Sequence, residues 1–201
     1  MAVKIKAVCS VLLSLLFLGG AFTHYCTRMN DCAEMTFLSN AATGVVFLCC
    51  GLYSLFTKKS APHFLYFDCA VLLACVVAVC AYFASDVCFT GRSVILHLVT
   101  PASAVLFYIF FCDARTGKKR DMITALVFPT VYYIFMITLG KLTGQSVYSY
   151  FDVNVMSNGM LVVMFLFAES VLIVIGVCLA FVNRLLRRFI NGGAAIGASK
   201  N

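Results

Sequence analysis

Charge is what this chain lacks. Charged residues make up 11% of its 201 positions and acidic ones number eight, against about 25% charged in an ordinary soluble domain. So little charge cannot cover a water-soluble globule of this size, which excludes a soluble enzyme. A disordered chain is excluded too, because 63% of the residues are hydrophobic and disorder requires the opposite balance. Prolines are also few, three in all. No C-x-x-C occurs, and no paired Cys/His spacing of the zinc type, although the chain holds eleven cysteines. A membrane thiol oxidoreductase is therefore disfavoured, and nothing calls for a metal or another cofactor.

What is present comes in long apolar blocks. Crossing the hydrocarbon core as a helix takes about 20 mostly apolar residues. Six runs qualify: Ala7–Phe22, Met35–Phe56, Phe64–Phe83, Ser93–Cys112, Met122–Gly140 and Met160–Asn183. Backbone polar groups need partners inside lipid, so each run is expected to be a helix. The fold expected is an all-α polytopic membrane domain over residues 1–190, with a flexible Gly/Ala-rich tail at 191–201. Pro101 and Pro129 fall within the fourth and fifth runs, where each should loosen a turn that neighbouring helices repair.

The net charge of +7 acquires an address from these runs. One set of connectors holds Lys4, Lys6, Lys58, Lys59, Arg115, Lys118, Lys119, Arg120, Arg184, Arg187, Arg188 and Lys200; the opposite set holds Arg28, Arg92 and Lys141. The positive-inside rule then places both termini in the cytoplasm. The basic excess becomes a topology signal, with weak attraction to anionic lipid. Nucleic acid is not an expected partner, since no aromatic-and-basic interleaving occurs outside the runs. Lys4 and Lys6 ahead of a short apolar run also fit a secretory signal peptide, yet Phe22-Thr23-His24 is a poor cleavage site, so the first run is read as retained.

Most cysteines, including Cys9, Cys49, Cys50, Cys69, Cys75, Cys80 and Cys178, fall inside the runs, where a thiol packs as a small apolar group. Cys26, Cys32 and Cys88 face the outer side and allow one disulfide, most simply Cys26 with Cys32.

Ionisable groups at membrane depth point to function, because burying them unpaired is costly. Asp68 sits one turn from the cytoplasmic end of the third run, within reach of water or of Lys58 and Lys59. Glu169 lies near the midplane of the sixth. It could couple protons, act as a neutral hydrogen-bonded acid, or orient another group.

Two stretches share one depth. The second run opens outside as Met35-Thr36-Phe37-Leu38-Ser39-Asn40, and the fourth as Ser93-Val94-Ile95-Leu96-His97-Leu98-Val99-Thr100-Pro101. Thr36 and His97 should thus both lie within about two helical turns of the outer interface. A hydroxyl beside an imidazole has the chemistry of an activated nucleophile. Asn40, four residues beyond Thr36, shares its face and could orient the histidine or help hold an oxyanion. The plainer alternatives are that Thr36 caps a helix and that His97 bonds a neighbouring helix.

These stretches resemble the androgen-induced and androgen-dependent family of integral membrane threonine hydrolases, and more closely its small bacterial relatives. The resemblance rests on Met35–Asn40, on His97 with Pro101, on Phe128-Pro129-Thr130-Val131-Tyr132-Tyr133, and on Tyr148-Ser149-Tyr150-Phe151-Asp152. It implies a multipass hydrolase of lipid esters, notably fatty acid esters of hydroxy fatty acids. Thr36 would be the nucleophile and His97 its partner. Ser39 stands at the third position after the threonine, where animal members carry their polar residue, and Asn40 follows as in the bacterial branch. Asn40, Tyr148 or a backbone amide near the helix start would support the oxyanion, and the Tyr148–Asp152 loop would form a lid; as a plain alternative it is an aromatic belt with a solvated Asp152. The rival classes are a small transporter, with Glu169, Asp68 and the prolines along its path, and a lipid-binding or scaffold protein without chemistry. No inverted repeat relates the first three runs to the last three, which weighs against transport.

Overall fold

A computed structural model describes residues 2–27, 33–83, 93–113, 118–148 and 151–198, with side chains as far as Ile190. Arg28, Cys32, Cys88, Arg92, Arg115, Ser149, Tyr150 and Lys200 lie outside the described residues, and so does any pairing of Cys26 with Cys32 or Cys88.

Six helices account for the described architecture: α1 (Ala2–Thr27), α2 (Met35–Thr57), α3 (His63–Phe83), α4 (Ile95–Phe111), α5 (Lys119–Thr143) and α6 (Asn158–Ala198). Five of them are long and apolar enough to cross a membrane; α4 is apolar but shorter. At about 1.5 Å per residue, the span of α4 falls slightly short of a hydrocarbon core about 30 Å thick. α6 continues unbroken to Ala198. No proline interrupts it, and the alanines there are strong helix formers.

The third helix forms the centre. Tyr66, Phe67, Ala70, Val71 and Leu73 are all essentially inaccessible although they point in different directions around α3, and α2, α4, α5 and α6 all pack on it. A helix that is apolar all round has to be enclosed in this way. Phe47 of α2 lies edge-on to Tyr66, and Phe107 of α4 closes the cluster. The outer helices do the reverse. Val163, Leu166, Phe167 and Val174 of α6 are more than half exposed, as an apolar face turned to lipid would be.

α1 and α2 lie unusually close because small residues meet bulky ones. A Cβ on Gly44 would come within 2.7 Å of the Leu18 side chain, and one on Gly51 within 2.7 Å of Val11. Both the glycines and their partners are seven residues apart, two turns along antiparallel helices. The backbone approach they permit is the common basis of helix association in lipid, and Ser10 reinforces it by donating to Phe47 O at 2.7 Å.

The two ends of the bundle differ in chemistry. At one end Lys6 Nζ stands 4.8 Å over the Tyr66 ring, and Arg120 lies over Phe64. Arg187 and Asn183 of α6 there donate to the last carbonyls of α4, including Cys112 O at 3.0 Å from Arg187. These are the carbonyls a helix C-terminus leaves without intrahelical donors. Cys112 itself is fully buried. At the other end, the segment between α5 and α6 folds back onto the bundle: Phe151 and Val153 are buried, Val153 against Gly140, and Phe151 lies edge-on to Tyr133.

Candidate functional site

Pro101 governs the local geometry of α4. A proline offers no N–H, so some carbonyl one turn earlier must lose its donor. The chain responds by opening a π turn over Ile95–Val99, in which Thr100 N–H donates to Ile95 O. Leu96 O then has neither backbone donor: Thr100 is committed elsewhere and residue 101 is proline. Two side chains replace them. Asn40 Nδ2 reaches it from α2 at 3.4 Å, and Thr100 Oγ1 lies 3.1 Å from it, its one proton shared between Leu96 O and Asn40 Oδ1. This is the repair by a neighbouring helix expected from the sequence, and the residue in the middle of the widened turn is His97. Gly20 of α1 lets the turn pack closely, since a Cβ there would stand 3.1 Å from Leu96 Cδ2.

Asn40 is fully buried and every part of its amide is engaged. Its Nδ2 also donates to Thr36 O at 2.8 Å, and its Oδ1 accepts from Thr100 Oγ1 at 2.5 Å. Both amide N–H groups therefore point at carbonyls, one beside Thr36 and the other beside His97. Ser39, also fully buried, donates to Thr36 O at 3.2 Å.

His97 is 7% exposed, and its Nδ1 lies 2.9 Å from Ser93 O. A carbonyl only accepts, so the proton of the neutral ring belongs on Nδ1, and Nε2 carries the lone pair. That is the tautomer a general base needs.

Thr36 is 6% exposed. It is not the cap of α2: Glu34 holds that position, without a side-chain capping bond, and its carbonyl takes Leu38 N–H. Thr36 is instead the second helical residue. No hydrogen bond joins the Thr36 and His97 side chains among the described residues; the two turns are linked through Asn40 Nδ2, which donates to Thr36 O and to Leu96 O.

A chain of tyrosines secures the start of α2. Met35 N–H, an orphan donor of the first turn, donates to Tyr148 OH at 2.8 Å. Tyr132 OH donates to Ala33 O at 3.0 Å, and the two tyrosine oxygens are 3.2 Å apart. Each hydroxyl has one proton. The Tyr132 proton is therefore shared between Ala33 O and Tyr148 OH. Burial and the neighbouring phenol raise the Tyr148 hydroxyl far above its ordinary range. Asp152 stabilises its own loop: Oδ1 accepts from Ser146 Oγ at 2.7 Å and from Asn154 N–H at 2.9 Å, and these bonds hold its carboxyl below the usual range.

The chain matches no family model, no curated protein and no solved structure.

The two intramembrane acids lie apart from the Thr36 and His97 turns. Asp68 lies 3.1 Å from Thr124 Oγ1 of α5, whose one proton it shares with Asp121 O. Glu169 Oε1 accepts from Thr130 Oγ1 at 2.9 Å, and its Oε2 is buried without a hydrogen-bond partner. Glu169 lines a mostly apolar cavity of about 140 Å³ that also touches Met35, Pro129 and Tyr148. Neither Thr36 nor His97 lines it. Thr100 and Thr130 are the polar residues that sequence reasoning missed. Each sits beside a proline, and that neighbourhood was the available signal. Among the described residues no three Asp, Glu, His or Cys side chains come together as metal ligands would.

Proposed function

We propose that this protein is an integral membrane lipid-ester hydrolase in which Thr36 is the nucleophile and His97 the general base. The observation that carries the reading is Asn40, whose one amide ties the turn bearing Thr36 to the turn bearing His97. The His97 tautomer supports it, because the nitrogen opposite Ser93 O is the basic one. The π turn supports it as well, since such widened turns concentrate at functional sites.

In the proposed reaction His97 Nε2 removes the Thr36 Oγ1 proton as that oxygen attacks the ester carbonyl. The oxyanion forms at the first turn of α2, where the Thr36 N–H is an orphan donor. His97 returns the proton to the departing alcohol, leaving an acyl-threonine. A water then gives its proton to Nε2 and attacks, and the acid is released as Thr36 is reprotonated. The contact between Thr36 and Nε2 is made in the substrate complex; catalytic hydrogen bonds commonly tighten at that stage. Both amide N–H groups of Asn40 are already used, so Asn40 positions the pair and leaves the oxyanion to the backbone.

The substrate class follows from the resemblance: esters with long acyl chains, including fatty acid esters of hydroxy fatty acids. Six spans are proposed, α4 being the shortest, with the Lys- and Arg-rich end facing the cytoplasm and the α2 N-terminus facing outward. Hydrolysis of a fluorogenic acyl ester by detergent-solubilised protein tests the reading. Wild type should turn over, and Thr36→Ala and His97→Ala should each lose at least about a hundredfold, the scale of general acid–base catalysis. Turnover that survives Thr36→Ala refutes the nucleophile.

A further inference from the structure

Glu169 lies outside the proposed hydrolytic pair, and no ion pair explains it among the described residues. Thr130 satisfies one carboxylate oxygen; the other is buried without a hydrogen-bond partner. The cavity it lines is about 140 Å³, and five aromatic rings share the wall: Tyr132, Tyr133, Tyr148, Phe151 and Phe165. An apolar cavity of about 150 Å³ holds one benzene molecule, so there is room for one small ring or a short alkyl group.

A single acid with an unused oxygen, in an otherwise apolar cavity lined by aromatic rings, is complementary to one kind of ligand. Ring faces attract cations within about 6 Å of their centroids, and a carboxylate in lipid is stabilised by an opposite charge. A neutral hydrocarbon would fill the space and leave Oε2 unpaired. An anion would be repelled. We propose that the chamber between α3, α5 and α6 is a binding site for a lipophilic organic monocation, a protonated amine whose N–H donates to Glu169 Oε2 while its apolar part lies among the aromatic rings. Tyr148 lines the chamber and also holds the first turn of α2 through Met35 N–H, so an occupant would be in contact with the residue that secures the Thr36 segment.

Calorimetric titration of the full chain in neutral detergent at pH 7 tests this with benzylamine, which is protonated there, and with benzyl alcohol, its neutral counterpart. Wild type should bind benzylamine at least tenfold more tightly than benzyl alcohol. Glu169→Gln should erase that preference while keeping the benzyl alcohol affinity, and Ala168→Phe, which fills the chamber from its wall, should abolish binding of both. Equal affinities in wild type, no binding of either, a preference retained in Glu169→Gln, or benzylamine binding unchanged in Ala168→Phe would each overturn the proposal. If Glu169→Gln loses its helical circular dichroism, the wild-type preference and its loss in Ala168→Phe decide the matter. Ester hydrolysis is read separately, so a negative result here leaves the Thr36 reading standing, and the reverse.

Discussion

Replacing Asn40 by alanine removes the one side chain that joins the two candidate catalytic turns. Three hydrogen bonds go with it, to Thr36 O, to Leu96 O and from Thr100 Oγ1. The first lies within α2, where Thr36 O keeps a helical backbone donor. The other two cross between helices, and such bonds in membrane proteins average about 0.6 kcal/mol and reach about 1.7, which gives about 1–3 kcal/mol. The site is fully buried, and the void left adds roughly 1 kcal/mol. Asn40→Ala should therefore destabilise by about 2–4 kcal/mol, and Thr100→Val, which keeps the volume, by about 1–2. Because the two side chains bond each other, the double variant should show a coupling of about 0.6–1.7 kcal/mol. The assay is an SDS titration in mixed micelles followed by far-ultraviolet circular dichroism, a suitable probe for a chain without tryptophan. Strict additivity, within about 0.3 kcal/mol, would refute the bridge and with it the argument that Thr36 and His97 are held at one level.

Further outcomes follow from other parts of the structure. Pro101→Ala restores an N–H and lets the π turn relax toward α geometry, re-aiming His97; ester turnover should fall at least about tenfold while the melting temperature shifts by only about 2–4 °C. Retained turnover would mean that the π turn does not matter to the chemistry. Gly51→Ala pushes a methyl group against Val11 and Ala7 O and should cost about 1–3 kcal/mol in the same SDS titration, with no loss expected if α1 and α2 were free to separate. The Asp152 carboxyl is depressed in the folded loop by Ser146 and Asn154, so its contribution to loop order is present above the ordinary carboxylate range and is lost as pH falls through the lower folded value. Hydrogen exchange of Val153 and Asn154 amides should accelerate over that acid window in wild type, and in Asp152→Asn should be fast already at neutral pH.

The apolar runs were legible because bilayer thickness dictates their length, and each of the six runs falls on a helix in the structure. Their ends were less so. α6 continues well past Asn183, since the Arg-Leu-Leu-Arg-Arg-Phe-Ile that follows is made of residues a helix accepts and holds no proline. Pro101 announced a loosened turn, but the sequence could not say that Leu96 O would be the stranded carbonyl or that Asn40 would reach it, because that depends on how α2 and α4 face each other. For the same reason Asn40 read as a participant in chemistry, and only its neighbours show that its amide is used up. Glu169 was conspicuous as an acid at membrane depth; its partner Thr130 sits on a different helix and could not be paired with it by spacing.

The most direct measurement is reaction of the detergent-solubilised protein with a fluorophosphonate probe, followed by peptide mass spectrometry. A single adduct on Thr36 that disappears in Thr36→Ala and is strongly reduced in His97→Ala is the predicted result. Labelling that persists in Thr36→Ala, or an intact protein that no probe of this type modifies, would contradict a threonine hydrolase.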